Sequence, residues 1–348
     1  MGKVSLIDTG LRTGRENIAH DQAMIDAHVD GDIGDTFKFI HFKPCALIGR
    51  HQDLSQELKL EECARLGVQT VRRVTGGGAI YFDEGQLGWA LVCDRKTVGG
   101  SLTEITQKIC TAAAIGLSKL GVDAQFRPRN DIEVGGQKIS GTGGFFDGNT
   151  LMFQGTVLVD LNPEVMMSVL NVPAHKLAKH VLENAAQRVT SLKNLLGSAP
   201  SKDEVKAALI EGFKQHLGFE MVKGETSQAV EKLAVQYHTQ EIGTDAFVAE
   251  INDPARSPGT LVGSNKKGNL KAYVRFEGPR SKRPREVVFT GDIFITPPRI
   301  LMDLEAHLRG VNIDKLEAQT HAFFSNTDIG LLSVQPAEFA SALMDAIK

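Results

Sequence analysis

Two short stretches gather residue types suited to handling anions. Val71 to Asp83, VRRVTGGGAIYFD, runs two adjacent arginines into Gly76, Gly77 and Gly78, then leaves along an apolar run that ends in Asp83. Further on, Gly135 to Gly141, GGQKISG, sets Lys138 among glycines and continues as Thr142-Gly143-Gly144. Glycine accepts φ > 0 and lacks a Cβ, so its main-chain N–H can turn inward against a ligand. Arg72 and Arg73 supply planar, permanently charged donors that suit a carboxylate or phosphate. A lysine among glycines can approach a reacting phosphate or carbonyl oxygen and stabilise developing negative charge. Read singly, the first stretch is equally a glycine-rich hairpin with solvated arginines, while an ordinary turn lysine is the lesser reading of Lys138. No Lys-Ser/Thr follows the glycines, and the G-x-G-x-x-G spacing is absent, so neither common nucleotide-loop signature applies.

The elements that must position these residues belong to a chain of 348 residues, 42% apolar, long enough for two domains with ordinary cores. A net charge of −3 and a pI near 6.4 do not mark a protein committed to nucleic acid or acidic membranes. No apolar run approaches the ~18 residues that would span a bilayer. The N-terminus, MGKVSLIDTG, lacks an apolar signal core, so a cytoplasmic protein is expected. Cys45, Cys63, Cys93 and Cys110 show no C-x-x-C pairing, against both zinc and a disulfide framework. Cys110 lies beside an apolar helical stripe and reads as core. His175 and His180, five apart, fall on different helix faces and make a poor metal pair.

Apolar spacing predicts helices over Arg15 to Asp30, Leu54 to Leu66 and Gln228 to Phe247, with strands at Thr36 to Phe42, Cys45 to Gly49, Val68 to Val74, Leu87 to Cys93 and Thr150 to Asp160. Ser101 with Glu104, and Ser201 with Glu204, form capping boxes that open two further helices. Phe126 to Thr142 reads as polar and glycine-rich, Pro163 to Leu170 as a short helix, and His175 to Val189 as a basic, weakly patterned stretch. The turn-rich segment from Asn252 to Gly259 marks a boundary. Two strands, Asn269 to Phe276 and Glu286 to Ile295, and two helices, Pro298 to Arg309 and Pro336 to Ile347, follow it. Loose alternation with several adjacent strands predicts an α/β or α+β protein with a mixed sheet, residues 1–250, and a smaller α/β domain, residues 251–348.

Five blocks in order, RRVTGGGAIYFDEG, PRNDIEV, QKISGTGG, FQGTVLVD and RVTSL, resemble the lipoate-protein ligases within the wider biotin/lipoate ligase superfamily. The likeness covers residues 15 to 245 as a catalytic module. GNLKAYVRFEG and GDIFITPPRILMDLEAHLRG resemble that family's small C-terminal accessory domain, and IGRHQD its strand-turn segment beside the acyl pocket. The resemblance implies ATP-dependent activation of lipoate, or octanoate, to an acyl-adenylate. Amide formation on a lysine of a lipoyl-domain carrier protein would follow. It implies Lys138 as catalytic, bridging acyl carbonyl and phosphate oxygens. Arg73, Thr75, Gly76, Gly77, Gly78 and Asp83 would bind substrate and nucleotide, as would Asn130, Asp131, Ser140, Gly141, Gln154, Gly155 and Thr156. Asp131 would also place Mg²⁺.

The chain departs from the family pattern in two places. Phe82 and Gln154 stand where histidine is common, and Thr142-Gly143-Gly144 where a small-residue SAY is common, which leaves the acyl pocket's shape open. Acyl transfer through a cysteine thioester is the nearest rival and needs a thiol at the site. Asn130 and Asp131 occupy the place where one transferase branch carries that cysteine, and the transferases lack the accessory domain. Biotin ligation and a non-catalytic carrier-binding protein are further alternatives. A basic run from Lys266 to Arg285 reads as a solvated strand face, with docking of an acidic carrier domain or of nucleic acid as other options.

Overall fold

A computed structural model of the chain describes residues 2–171, 188–278 and 280–348. Its centre is an eight-stranded mixed sheet in the order Glu220–Lys223, Lys3–Arg12, Thr36–Phe42, Gln86–Asp94, Thr150–Leu158, Gln137–Asp147, Asp131–Val134 and Gln125–Arg127. The first two neighbour pairs are parallel and the others antiparallel. Along Gln86–Asp94, Leu87, Trp89, Leu91 and Cys93 enter one apolar cluster while Ala90 and Val92 enter another. That period-two alternation shows a strand buried on both faces.

Helices Leu102–Ser118 and Lys202–Leu217 cover the Trp89 face, where Phe37, Trp89 and Phe213 stack. A Cβ on Gly212 would lie 2.3 Å from the Ala112 carbonyl oxygen, so glycine there lets the two helix backbones touch. Helices Gly14–Val29 and Gln228–Gln240 pack on the other face. Both predicted capping boxes are present, with Glu104 and Glu204 each accepting from the N-cap amide at 2.8 Å. A second, three-stranded sheet, Gln69–Arg72, Cys45–Ile48 and Ile80–Phe82, stands beside the main one and carries the glycine stretch between two of its strands.

Several expectations need correction. Strand Lys3–Arg12 was not anticipated, because its side chains mix polar and apolar without clean alternation. The stretch read as a polar loop contains strands Gln125–Arg127 and Asp131–Val134 and the start of Gln137–Asp147; Gly135 and Gly136 make the turn between the last two, with φ > 0, and Gly141 lies inside the third. The helix expected over Leu54 to Leu66 breaks at Leu58, which is extended, into Leu54–Glu57 and Leu60–Leu66. Gln228 to Phe247 likewise ends at Gln240 and resumes as Asp245–Val248. His175 and His180, with the basic stretch as far as residue 187, lie outside the described residues.

Strands Thr260–Ser264, Leu270–Phe276 and Pro284–Gly291 form a separate antiparallel sheet. Helices Ile300–Leu308, Leu316–Ser325 and Pro336–Ala346 join it around their own apolar cluster. The middle one, Leu316–Ser325, carries no cap or clear stripe and was not expected. Among the described residues, three of the eight residues of the basic run are paired with side chains: Lys267 with Glu338 at 3.0 Å, Arg275 with Glu286 at 2.6 Å, and Lys271 with Gln56 of the larger unit.

Candidate functional site

The two stretches meet. A cavity of about 450 Å³ lies on the sheet between them, and its lining includes Arg73, Thr75, Gly78, Asn130, Asp131, Lys138, Gly141, Gln154, Gly155 and Thr156. Its apolar lining includes Ile18, Ile40, Phe42, Phe82, Leu158 and Leu161. Phe42 and Phe82 stack at 4.3 Å, and Gly88 beneath Phe42 leaves the room this needs. Its cationic lining includes Lys138, Arg127 and Arg129. Apolar walls with a few charged groups are usual for a site that binds a small amphiphilic molecule.

Lys138 Nζ lies 2.6 Å from Asp131 Oδ1, both side chains about one-third exposed. The ammonium runs over Gly141, where a Cβ would sit 2.7 Å from Nζ; a side chain at 141 would push the lysine away. The backbone beneath is pinned from both sides: Lys138 N donates to Arg188 O at 2.8 Å and Thr190 N to Lys138 O at 2.9 Å. The RVTSL block thus holds the strand that carries the lysine. Asn130 donates its amide to Thr142 O, and Thr142 Oγ1 donates to Asn130 O at 2.9 Å, which locks the PRND turn to the same strand. Gly141 N donates to Thr156 Oγ1 at 3.1 Å, and Gln154 Nε2 donates to Thr75 Oγ1, so neighbouring strands align the polar floor.

The two arginines have different work. Arg72 is fully buried and donates to the carbonyls of Gly49, Arg50, Gln52, Phe247, Val248 and Ile251. It ties the linker to the sheet and faces no cavity. Arg73 lines the cavity and braces the glycine loop from inside: Nε and Nη2 donate to Gly76 O, and Nη2 also to Gly78 O at 2.8 Å. Burial pulls both guanidinium groups down to about 10, which leaves them charged at neutral pH.

Four expected residues lie off the lining. Asp83 caps its turn, accepting from Gly85 N at 2.7 Å. Ser140 is buried on the strand. Gly76 and Gly77 turn toward the smaller unit instead, where Gly77 N donates to Ile293 O at 3.3 Å. Asp292, Phe294 and Ser333 of that unit line the cavity and were missed. The sequence signal for Asp292 and Phe294 is the GDIF turn, which says nothing about what it touches, and Ser333 carries none.

All four cysteines are buried and none lines the cavity. Cys110 lies against one lining residue, its Sγ 3.1 Å from Thr142 Oγ1, but burial pushes its thiol up to about 12. Among the described residues no group of three or more His, Cys, Asp or Glu side chains could hold a metal by itself, and no helix is long and apolar enough to cross a membrane.

Residues 13–214 match the family model of the lipoyl protein ligase A/B catalytic domain. The chain is 29% identical over 265 residues to an octanoyltransferase LipM of Kyrpidia tusciae, covering 68% of this chain and 96% of that protein. It is 26% identical over 256 residues to a lipoate-protein ligase A subunit 1 of Thermoplasma acidophilum, covering 71% and 95%. Among solved structures, LipL1 of P. falciparum in complex with lipoate superposes with a TM-score of 0.72 at 15% identity over 94% of this chain and 95% of that one. A bipartite lipoate protein ligase of T. acidophilum studied with its E2 lipoyl domain gives 0.65 at 23% over 72% and 98%. A lipoate-protein ligase A bound with ATP gives 0.62 at 24% over 72% and 100%. These likenesses show a shared mixed α/β fold.

Proposed function

This chain belongs to the lipoyl protein ligase A/B catalytic-domain family, and we propose that within it the protein is an ATP-dependent lipoate-protein ligase. It converts lipoate, or octanoate, to the acyl-adenylate and passes the acyl group to a lysine of a lipoyl-domain carrier. Residues 1–250 carry the chemistry and residues 251–348 act as an accessory domain. The observation that carries this reading over a thioester transferase is that every cysteine is walled off from the cavity while Lys138 faces it. A transferase of the cysteine type needs a thiolate at the acyl carbon. The solved relatives with lipoate, ATP and a lipoyl domain support the choice of ligands.

In the first step a carboxylate oxygen attacks the α-phosphorus, the bond to the β-phosphate breaks, and pyrophosphate leaves. Two anions are forced together, so the site must offer fixed positive charge and oriented donors. The apolar lining holds the acyl chain. The Lys138 ammonium, kept in place by Asp131 and by the open space above Gly141, stabilises charge on the acyl and phosphate oxygens. Arg73 keeps the glycine loop in shape, and its charge raises the local potential. In the second step the carrier lysine's amine attacks the acyl carbon, the bond to AMP breaks, and the amine loses a proton.

Asp131, which lines the cavity beside Lys138, would hold a magnesium ion together with phosphate oxygens, and the ion would supply neutralisation of phosphate charge. The deciding experiment is pyrophosphate release from Mg-ATP with lipoate, octanoate or biotin and no carrier. Release that depends on lipoate or octanoate is expected. Silence with every acid from folded protein, together with acyl transfer from an acylated carrier protein, would establish the transferase instead.

A further inference from the structure

The glycine loop is shaped in part by a side chain of the smaller unit. A Cβ placed on Gly77 would lie 2.5 Å from Cζ of Phe294, and one on Gly143 would lie 2.2 Å from its Cε1. One ring therefore fills the space against a glycine from each of the two glycine-rich stretches. Gly76 is met in the same way by the Ile293 carbonyl oxygen, at 1.9 Å from a built Cβ. Gly77 also has φ +101°, a conformation side chains resist. These glycines serve a close approach of protein to protein as much as any approach of protein to ligand.

Phe294 is fixed from behind. Its N donates to Ser333 Oγ at 3.1 Å, Ser333 Oγ donates to Asp292 O at 2.6 Å, and Leu332 N donates to Phe294 O at 3.3 Å. Arg129, beside the PRND block, donates through Nη1 to Ser333 O at 3.1 Å, which fastens this cluster to the cationic rim. The ring is 7% exposed yet belongs to the cavity wall.

We propose that Phe294 is a positioning residue for the adenylation step. Its ring, seated on Gly77 and Gly143, holds the Arg73-braced loop in the geometry that receives the anions and closes one wall against water. The inference rests on the ligase reading above and adds the residue through which the smaller unit takes part. A loop built of three glycines has little stiffness of its own, and orientation of reacting groups is worth orders of magnitude in rate. Transfer from a preformed adenylate needs less, because the two anions are already joined.

The test uses the full chain carrying Phe294→Ala, with folding checked by thermal melting. Pyrophosphate release is expected to fall 10- to 100-fold, with most of the loss in kcat, while amide formation from supplied lipoyl-adenylate stays within about twofold. Phe294→Leu should recover part of the loss, since it refills part of the volume. Gly143→Ala should mimic the defect by displacing the ring, and should add little to Phe294→Ala, the non-additivity expected of groups in contact. Full adenylation by Phe294→Ala would overturn the proposal, as would equal loss of both steps. Faster adenylation would also overturn it, by making the ring a plug that ligands must expel. If Phe294→Ala does not fold, the Leu variant and Gly143→Ala decide by the same criteria. Failure of the ligase reading is distinct: it shows as a silent wild-type protein, whereas failure here shows as wild-type activity that the variants keep.

Discussion

Lys138 lines the cavity with a carboxylate partner at 2.6 Å and a glycine beneath its ammonium. Lys138→Ala is expected to fold normally and to lose about 10²-fold or more in adenylate formation, as when a fixed charge facing the transition state is removed. Near-normal turnover would remove Lys138 from the mechanism. Cys110 makes the complementary case. Its thiol hydrogen-bonds Thr142, packs in the apolar core and is held protonated by burial, so Cys110→Ala should keep lipoate-dependent activity, measured as carrier acylation. Complete loss, in a protein that still melts normally, would point to a thioester route.

At the level of elements, the site depends on how neighbouring strands and turns hold one another. The RVTSL segment and the PRND turn lock onto the lysine-bearing strand from both sides, which makes that strand rigid despite its glycines. Arg72 does similar work for the linker, gathering six carbonyl oxygens from the IGRHQD turn and the segment before the smaller unit. Arg72→Met leaves several buried acceptors without donors, each worth ~1–3 kcal/mol, so a loss of at least about 3 kcal/mol is expected in urea denaturation. An unchanged midpoint would mean that water replaces the guanidinium. Ser101→Ala, which removes a capping-box side chain, should cost only ~1 kcal/mol by the same measurement.

For the whole molecule, the smaller unit presents Asp292, Phe294 and Ser333 to a cavity otherwise built by the larger one. Deleting Gly259 to Lys348 should therefore impair pyrophosphate release more than transfer from supplied acyl-adenylate. Equal loss of both steps would argue that the unit matters only for folding. Acid response is a property of the whole fold too. Burial lowers His51 to about 3 and His20 to about 2, so the folded state keeps both neutral while the unfolded chain protonates them near 6.5. The unfolded state then binds more protons below pH 6.5. Stability falls as pH drops from there, by up to ~1.4 kcal/mol per pH unit for each group, until the folded pKa is reached. Melting temperatures from pH 8 to 4 check this, and His51→Gln should flatten the decline.

Much of the larger unit was legible in residue order alone. Capping boxes, the apolar run around Trp89 and the helix stripe of Leu102 to Ser118 are local signals, set by nearest-neighbour geometry, and the structure follows them. The glycine and lysine stretches stand out by residue type alone, and the structure brings residues of both to one cavity. Strand Lys3–Arg12 and the strands around Lys138 were not legible, since pairing partners distant in the chain, rather than periodicity, stabilise them. Only the tertiary structure separates Arg72, which fastens the linker, from its neighbour Arg73, which braces the loop. Only it shows that two of the three adjacent glycines, Gly76 and Gly77, face Ile293 and Phe294. A glycine's sequence position declares that a side chain is absent; which atoms fill the space is decided by the approach of a segment more than two hundred residues away.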